Sequence, residues 1–290
     1  MNTTTAGSQR IESLAYFWYQ LKHSPMMMLG LVLIILMCAA AALAPLIAGH
    51  DPDAIDLGSR LLPPSAEHLF GTDEVGRDLF SRVLYGGRQS IGVGIFVAFM
   101  ASIIGSIIGC FSGIIGRSVD TIIMRLMDIV LSVPSLVLTM ALAAALGPSL
   151  FNAMIAITVV RIPYYVRLAR GQTLSIREMA YVRAAQTFGA GKAHIVRWHV
   201  FRNALPPVIV QMTLDIGNAI LMAAALGFIG LGAQQPTAEW GAMIASGRNY
   251  LLDQWWYSTF PGVAILITAI GFNLVGDGVR DMLDPKQKVK

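Results

Sequence analysis

The run MMMLGLVLIILMCAAAALAPLIAG, residues 26–49, decides what kind of protein this is. It holds no charged side chain, and as a helix rising 1.5 Å per residue it is about 36 Å long, enough to cross a hydrocarbon core of roughly 30 Å. A secretory leader has an apolar core of only about 7–15 residues, so the run reads as a span even though Ala39, Ala40 and Ala41 imitate a cleavage site. Met37 is larger than the small residue usually found before a lipoprotein cysteine, which argues against lipidation of Cys38. The whole chain agrees: it is 55% hydrophobic and 13% charged, with a mean hydropathy of +0.63, whereas soluble domains are about 25% charged.

Working outward, five further apolar runs approach spanning length, at 90–115, 129–146, 150–166, 205–231 and 259–275. The reading is an all-α integral membrane protein with six transmembrane helices. An even count puts both termini on one side, and loop charge says which side that is. Segment 167–202 carries Arg167, Arg170, Arg177, Arg183, Lys192, Arg197 and Arg202 against Glu178 alone, so it faces the cytoplasm. Segment 50–89 holds seven acids against four arginines and is expected to be a periplasmic loop. Both termini are then cytoplasmic, which suits Lys286, Lys288 and Lys290 in a tail at 277–290. Residues 1–25, with Tyr16, Phe17, Trp18 and Tyr19 beside Lys22, read as an interfacial helix on the inner leaflet, in contact with membrane lipid. The isoelectric point near 9.2 is explained by this topology, and no nucleic-acid partner is expected.

Enzyme chemistry finds little support. In QTFGAGKA, residues 186–193, Gly191 and Lys192 imitate a phosphate-binding loop, but that loop needs glycine where Gln186 stands and a hydroxyl where Ala193 stands. No ATP site is expected. Cys38 and Cys110 form no paired motif, and His194 and His199 lack the i, i+4 spacing of a helical zinc pair. With His23, His50 and His68 scattered along loops, neither a metal site nor a catalytic residue is expected.

Polar residues at membrane depth are more informative. Gln211, Asp215, Asn218 and Met222 follow steps of four, three and four, which aligns three polar side chains on one helix face. A buried acid is costly in lipid, so Asp215 needs a partner or a water-filled cavity. Arg161 is the candidate partner, since both residues come out about 15 Å deep, near the midplane. Arg161, Gln211, Asp215 and Asn218 are thus a candidate translocation path. The alternative is that the pair only satisfies internal packing. Gly105, Gly109 and Gly113 make a bare stripe for close helix approach.

In the basic loop, Ala184 and Ala185 end one helical segment, Gly189 follows, and a second segment runs through Ile195 toward Pro206. A turn of alanine ended by glycine suits docking into a groove of another protein. Ala184-Ala185-x3-Gly189 resembles the EAA loop of ABC importer permeases. FGTDEVGRDLFSRVLYGGRQS from Phe70, LGFIGLGAQQPTAEWGAMI from Leu226 and FNLVGDGVRDMLDPK from Phe272 resemble the C-type permease subunit of oligopeptide, dipeptide and nickel importers. Arg183 departs from the loop's usual glutamate, and Phe201-Arg202 from the Leu-Pro that often follows His199-Val200.

The resemblance implies a MetI-like permease fold in residues 90–276 and a coupling loop at 167–204, with Arg183, Ala184, Ala185, Gly189, Ala190 and His199 at the ATPase contact. It implies a bacterial inner-membrane heterodimer with a B-type permease, two ATPase subunits that use ATP and Mg²⁺, and a periplasmic substrate-binding protein. No cofactor is expected on this chain itself. LSVPSLVLTMALAAALGPSLFNAM from Leu131 and GRNYLLDQWWY from Gly247 look most like permeases for D,D-dipeptides, which makes dipeptides the expected cargo. A secondary transporter or channel using Arg161 and Asp215 is the rival reading. It predicts an internal repeat, and none is visible.

Overall fold

The computed structural model describes residues 24–283, and among these there is no β-strand, only a bridge pairing Thr72 with Asp78. The interfacial helix expected over residues 1–25 lies almost wholly outside the described residues, as do Lys286, Lys288 and Lys290. The chain runs α1 (Pro25–Ala42), α2 (Ala44–Ile47), α3 (Leu79–Ile115), α4 (Arg117–Ser132), α5 (Ser135–Leu146), α6 (Leu150–Arg177), α7 (Ala180–Thr187), α8 (Lys192–Ile195), α9 (Phe201–Phe228), α10 (Trp240–Gly247) and α11 (Trp256–Leu283). One wide π-type turn at Val196–Val200 leads into α9.

Among the described residues, four segments are long and apolar enough to cross a membrane: α1, α3, α9 with the turn before it, and α11. The expected single span at 129–146 is a bent pair instead, α4 and α5 meeting at 92°, and counting it as one crossing makes five. The physical reason lies at Val133-Pro134, since the residue before proline is pushed to extended backbone and Val133 adopts it. Hydropathy alone does not register such a break. Helix α6 carries Arg161, Arg167, Arg170 and Arg177 and does not reach the same apolarity. Other boundaries also move, and α6 runs on to Arg177, past the end expected at 166. Helix α3 starts at Leu79, well inside the expected loop at 50–89, and α11 runs on to Leu283, past the end expected at 275.

Helices α3 and α6 share the most extensive contact, and the glycine stripe explains it. A Cβ at Gly105 would lie 2.5 Å from Tyr165 Cβ, one at Gly109 would run into the Val166 carbonyl, and one at Gly113 would lie 2.8 Å from Thr173 Cγ2. Bare backbone lets the axes approach where lipid supplies no hydrophobic drive of its own. Helix α11 packs on α1, α9 and α10, and Gly30 of α1 faces Leu274 and Gly271 in the same way. Between α3 and α9 sits Trp240, 1% exposed, its Nε1–H donating to the Val83 carbonyl at 2.9 Å.

Candidate functional site

Three clusters of polar or exposed residues stand out, and each is positioned by the helices just described. At one end of the bundle, α7 displays Arg183 and Ala184 to solvent and half-buries Ala185. The helix ends in a Schellman-type turn: Ala190 N donates to Ala185 O at 3.0 Å, and Gly189 adopts φ +85. A side chain at Gly189 would meet nothing within 4 Å, so its glycine is needed for backbone sign and not for room. Phe188 next to it is 90% exposed.

Beneath this exposed turn the loop is anchored. Val182, Ile195 and Val200 are buried against Cys110 of α3, Ala169 and Ile176 of α6, and Ala204 of α9. His199 is half-buried, its ring 5.8 Å from Tyr181, while Asn203 donates to the His199 carbonyl at 2.6 Å and to Tyr181 Oη at 3.2 Å. Arg183 reaches Glu178 Oε2 at 2.6 Å, and Arg177 reaches Glu178 Oε1 at 3.1 Å. These two guanidiniums hold the Glu178 carboxyl below its ordinary range. The loop that carries the turn at Gly189 is thus packed onto three long helices.

Deeper in the bundle, Arg161 Nε donates to Asp215 Oδ2 at 3.1 Å, and its Nη2 also contacts Oδ1. Asp215 is 1% exposed. Gln211 Nε2 reaches Asp215 Oδ1 at the long limit of 3.5 Å, and the Arg161 guanidinium lies 4.9 Å over the Tyr164 ring. Asn218 does not join: it is exposed and donates to Leu214 O at 3.3 Å on its own helix. Helical spacing put Asn218 on the same stripe, but the bundle covers only part of that stripe.

The third cluster gives a physical account of GTDEVGRD, residues 71–78, which spacing along the chain does not reveal. Asp73 Oδ1 accepts from Val75 N and Arg77 N at 2.9 Å each, and Oδ2 accepts from Arg77 Nε at 2.6 Å. Gly76 adopts φ +81, and a Cβ there would run into the Asp56 carbonyl. Asp78 caps α3 through Ser81 N at 2.7 Å. Arg77 then reaches Gln235 Oε1 at 2.9 Å, and Arg82, 1% exposed, reaches Pro52 O at 2.8 Å and Pro236 O at 3.1 Å. The motif is a knot that ties the first loop to the segment before α10. There Glu239 accepts from Gly241 N, Ala242 N and Ser90 Oγ, and burial raises its carboxyl above the ordinary range.

Comparison with known proteins fits this arrangement. The family model for the binding-protein-dependent transport system inner membrane component matches residues 101–289, and that for the N-terminal TM domain of oligopeptide transport permease C matches residues 13–64. The chain is 67% identical over 268 residues to the probable D,D-dipeptide transport system permease protein of Escherichia coli K12, covering 92% of this chain and 90% of that one. It is 45% identical over 269 residues to a dipeptide transport system permease protein of Alkalihalophilus pseudofirmus, covering 93% and 88%. In fold it resembles a chain of the methionine ABC transporter MetNI in an inward-facing conformation, with a TM-score of 0.57 and 18% identity over 70% of this chain and 97% of that one. These matches show that the chain belongs to the inner-membrane permease components of binding-protein-dependent ABC transport systems.

Proposed function

We propose that the chain is the C-type permease subunit of an ATP-driven importer of dipeptides, D,D-dipeptides above all, in a bacterial inner membrane. In this reading it crosses the membrane six times, with α6 as the polar sixth crossing and both termini in the cytoplasm. It pairs with a B-type permease, two ATPase subunits hydrolyse ATP with Mg²⁺, and a periplasmic binding protein delivers cargo. ATP and its Mg²⁺ are bound by those partner subunits and not by this chain. Its cargo is inferred from the relatives' names.

The observation that carries the reading is the loop from α7 to α9, exposed at Ala184, Phe188 and Gly189 yet rooted on α3, α6 and α9 through Val182, Ile195 and Val200. Such a knob transmits force in both directions. ATPase closure would displace the turn at Gly189, and the packed root would carry that displacement to α6 and α9, where Arg161, Gln211 and Asp215 lie. The pair keeps both charges neutralised at membrane depth, and we assign it to the wall of the translocation path.

The test is ATPase activity of the complex recovered in mild detergent with a tagged copy of this chain, beside a Gly189→Arg copy at equal expression. Activity should co-purify with the wild type and be lost or uncoupled from uptake with Gly189→Arg. A folded wild-type chain that always comes away without ATPase, while uptake persists in ATP-depleted cells, would return the secondary-transporter reading.

A further inference from the structure

Where the first loop meets the start of α3, three side chains from separate stretches converge. His68 Nδ1 lies 3.0 Å from Asp78 Oδ1, and His50 Nδ1 lies 4.0 Å from the same oxygen. The two imidazole rings are 4.9 Å apart, centroid to centroid. One ligand atom from each of the three residues lies within 4.8 Å of the others. The first contact is an ordinary hydrogen bond. The second is too long to be one, and the two imidazole nitrogens and the carboxylate oxygen lie together with no other bond joining His50 to Asp78.

The donor set and its support have the character of a metal site. Asp78 is 4% exposed, and its other oxygen is held by Ser81 N at 2.7 Å, so Oδ1 is fixed in direction by the helix cap. His68 is held by its own turn: its backbone N donates to Ser65 Oγ at 3.0 Å, and its carbonyl accepts from Ser65 N and Gly71 N. Its side chain is 10% exposed, whereas that of His50 is 40% exposed and has freedom to close. A zinc ion bound at about 2.0–2.1 Å to each ligand sets neighbouring donor atoms roughly 3.3 Å apart. The observed 3.0 and 4.0 Å bracket that edge and the third is no longer than 4.8 Å, so closing the site requires His50 to move inward.

We propose that His50, His68 and Asp78 bind one Zn²⁺, with a fourth position left to water or an incoming ligand on the exposed His50 side. Two imidazoles and one carboxylate suit zinc and disfavour Mg²⁺ and Ca²⁺, which take all-oxygen shells. The ion clamps the stretch just after α2 onto the cap of α3, fastening the outer end of α1 to the knot around Asp73. Because the ligands are not spaced as a motif along the chain, only the folded loop brings them together.

The test uses the tag-free, chelator-stripped complex, titrated with ZnCl₂ by calorimetry. The wild type should take up one Zn²⁺ per copy of this chain that a His50→Ala copy takes up at least tenfold more weakly, with Mg²⁺ and Ca²⁺ in excess failing to compete. Zinc should raise the melting temperature of the wild type and leave that of His50→Ala where it was, the two being equal without metal. If His50→Ala melts early on its own, His50→Gln replaces it. X-ray absorption of the loaded complex should show a nitrogen and oxygen shell near 2.0–2.1 Å, which His50→Ala diminishes. Equal zinc uptake by the wild type and the His50 variants, or no saturable uptake by the wild type, overturns the proposal.

Discussion

Arg161 on α6 and Asp215 on α9 form an ion pair across the bundle, joined at 3.1 Å between Nε and Oδ2, with Asp215 1% exposed and the Arg161 side chain 13% exposed. Neither charge has water in plenty around it. Each is the condition for the other's burial.

Removing one member therefore strands its partner. Asp215→Leu alone is expected to cost about 3–5 kcal/mol, the usual magnitude for breaking a buried pair on one side. The double change Arg161→Met with Asp215→Leu is expected to recover most of that stability, since apolar replacement of a whole pair is often neutral. Melting in detergent measures the recovery and uptake by reconstituted vesicles measures function. A double variant that melts like wild type but does not transport places the pair in the path. One that also transports makes the pair purely structural.

The glycine stripe yields a paired contrast. Gly109→Ala should destabilise by about 1–3 kcal/mol, because its Cβ would meet the Val166 carbonyl and Ala169 Cβ, and backbone does not yield as a side chain does. Gly92→Ala, on the same helix but with nothing within 4 Å of the new methyl, should be neutral or stabilise by up to about 1 kcal/mol. Equal melting temperatures for the two variants would refute close packing of α3 on α6.

At the turn around Gly189, proposed as the coupling contact, the backbone sign matters more than size. Gly189→Asn should retain most coupled ATPase activity because asparagine tolerates the left-handed region, whereas Gly189→Val should lose it, the strain being about 1–2 kcal/mol on a turn that is otherwise open. The readout is cargo moved per ATP hydrolysed. Matching ratios for the two variants would mean the turn's shape is not what the ATPase reads.

Glu239 offers a pH signature. Burial raises its carboxyl above the ordinary 4.5, so the folded protein holds the proton more tightly than the unfolded chain. The stability this contributes is complete below 4.5 and is lost as pH rises through the folded value. Relative to Glu239→Gln, the wild type should therefore lose melting temperature as pH rises above about 4.5. Parallel melting curves for the two proteins across that range would exclude a buried, proton-retaining Glu239.

Much of the site was legible without coordinates, and the residues say why. Ala184, Ala185 and Gly189 lie close together along the chain, so a helix and its terminating turn already bring them into one knob. Gln211 and Asp215 share a helix face for the same local reason. Asn218 fell on that face too, but how much of a face is covered depends on neighbouring helices, and none covers Asn218. The bend at Pro134 escaped because apolarity was continuous through it, although the proline itself was a local signal.

Composition, apolar run length and loop charge determined on their own that this is a helical membrane protein with one strongly basic loop. Those properties add up residue by residue, as transfer into lipid does. What only the tertiary structure decided is which charges inside or beside the apolar bundle are tolerated and by whom. Arg161 finds Asp215, Arg82 finds the Pro52 and Pro236 carbonyls, and His50 meets His68 at Asp78, all across chain separations that no local period spans. A buried polar group must be satisfied by whatever lies next to it in space, and that neighbour is set by the packing of whole helices.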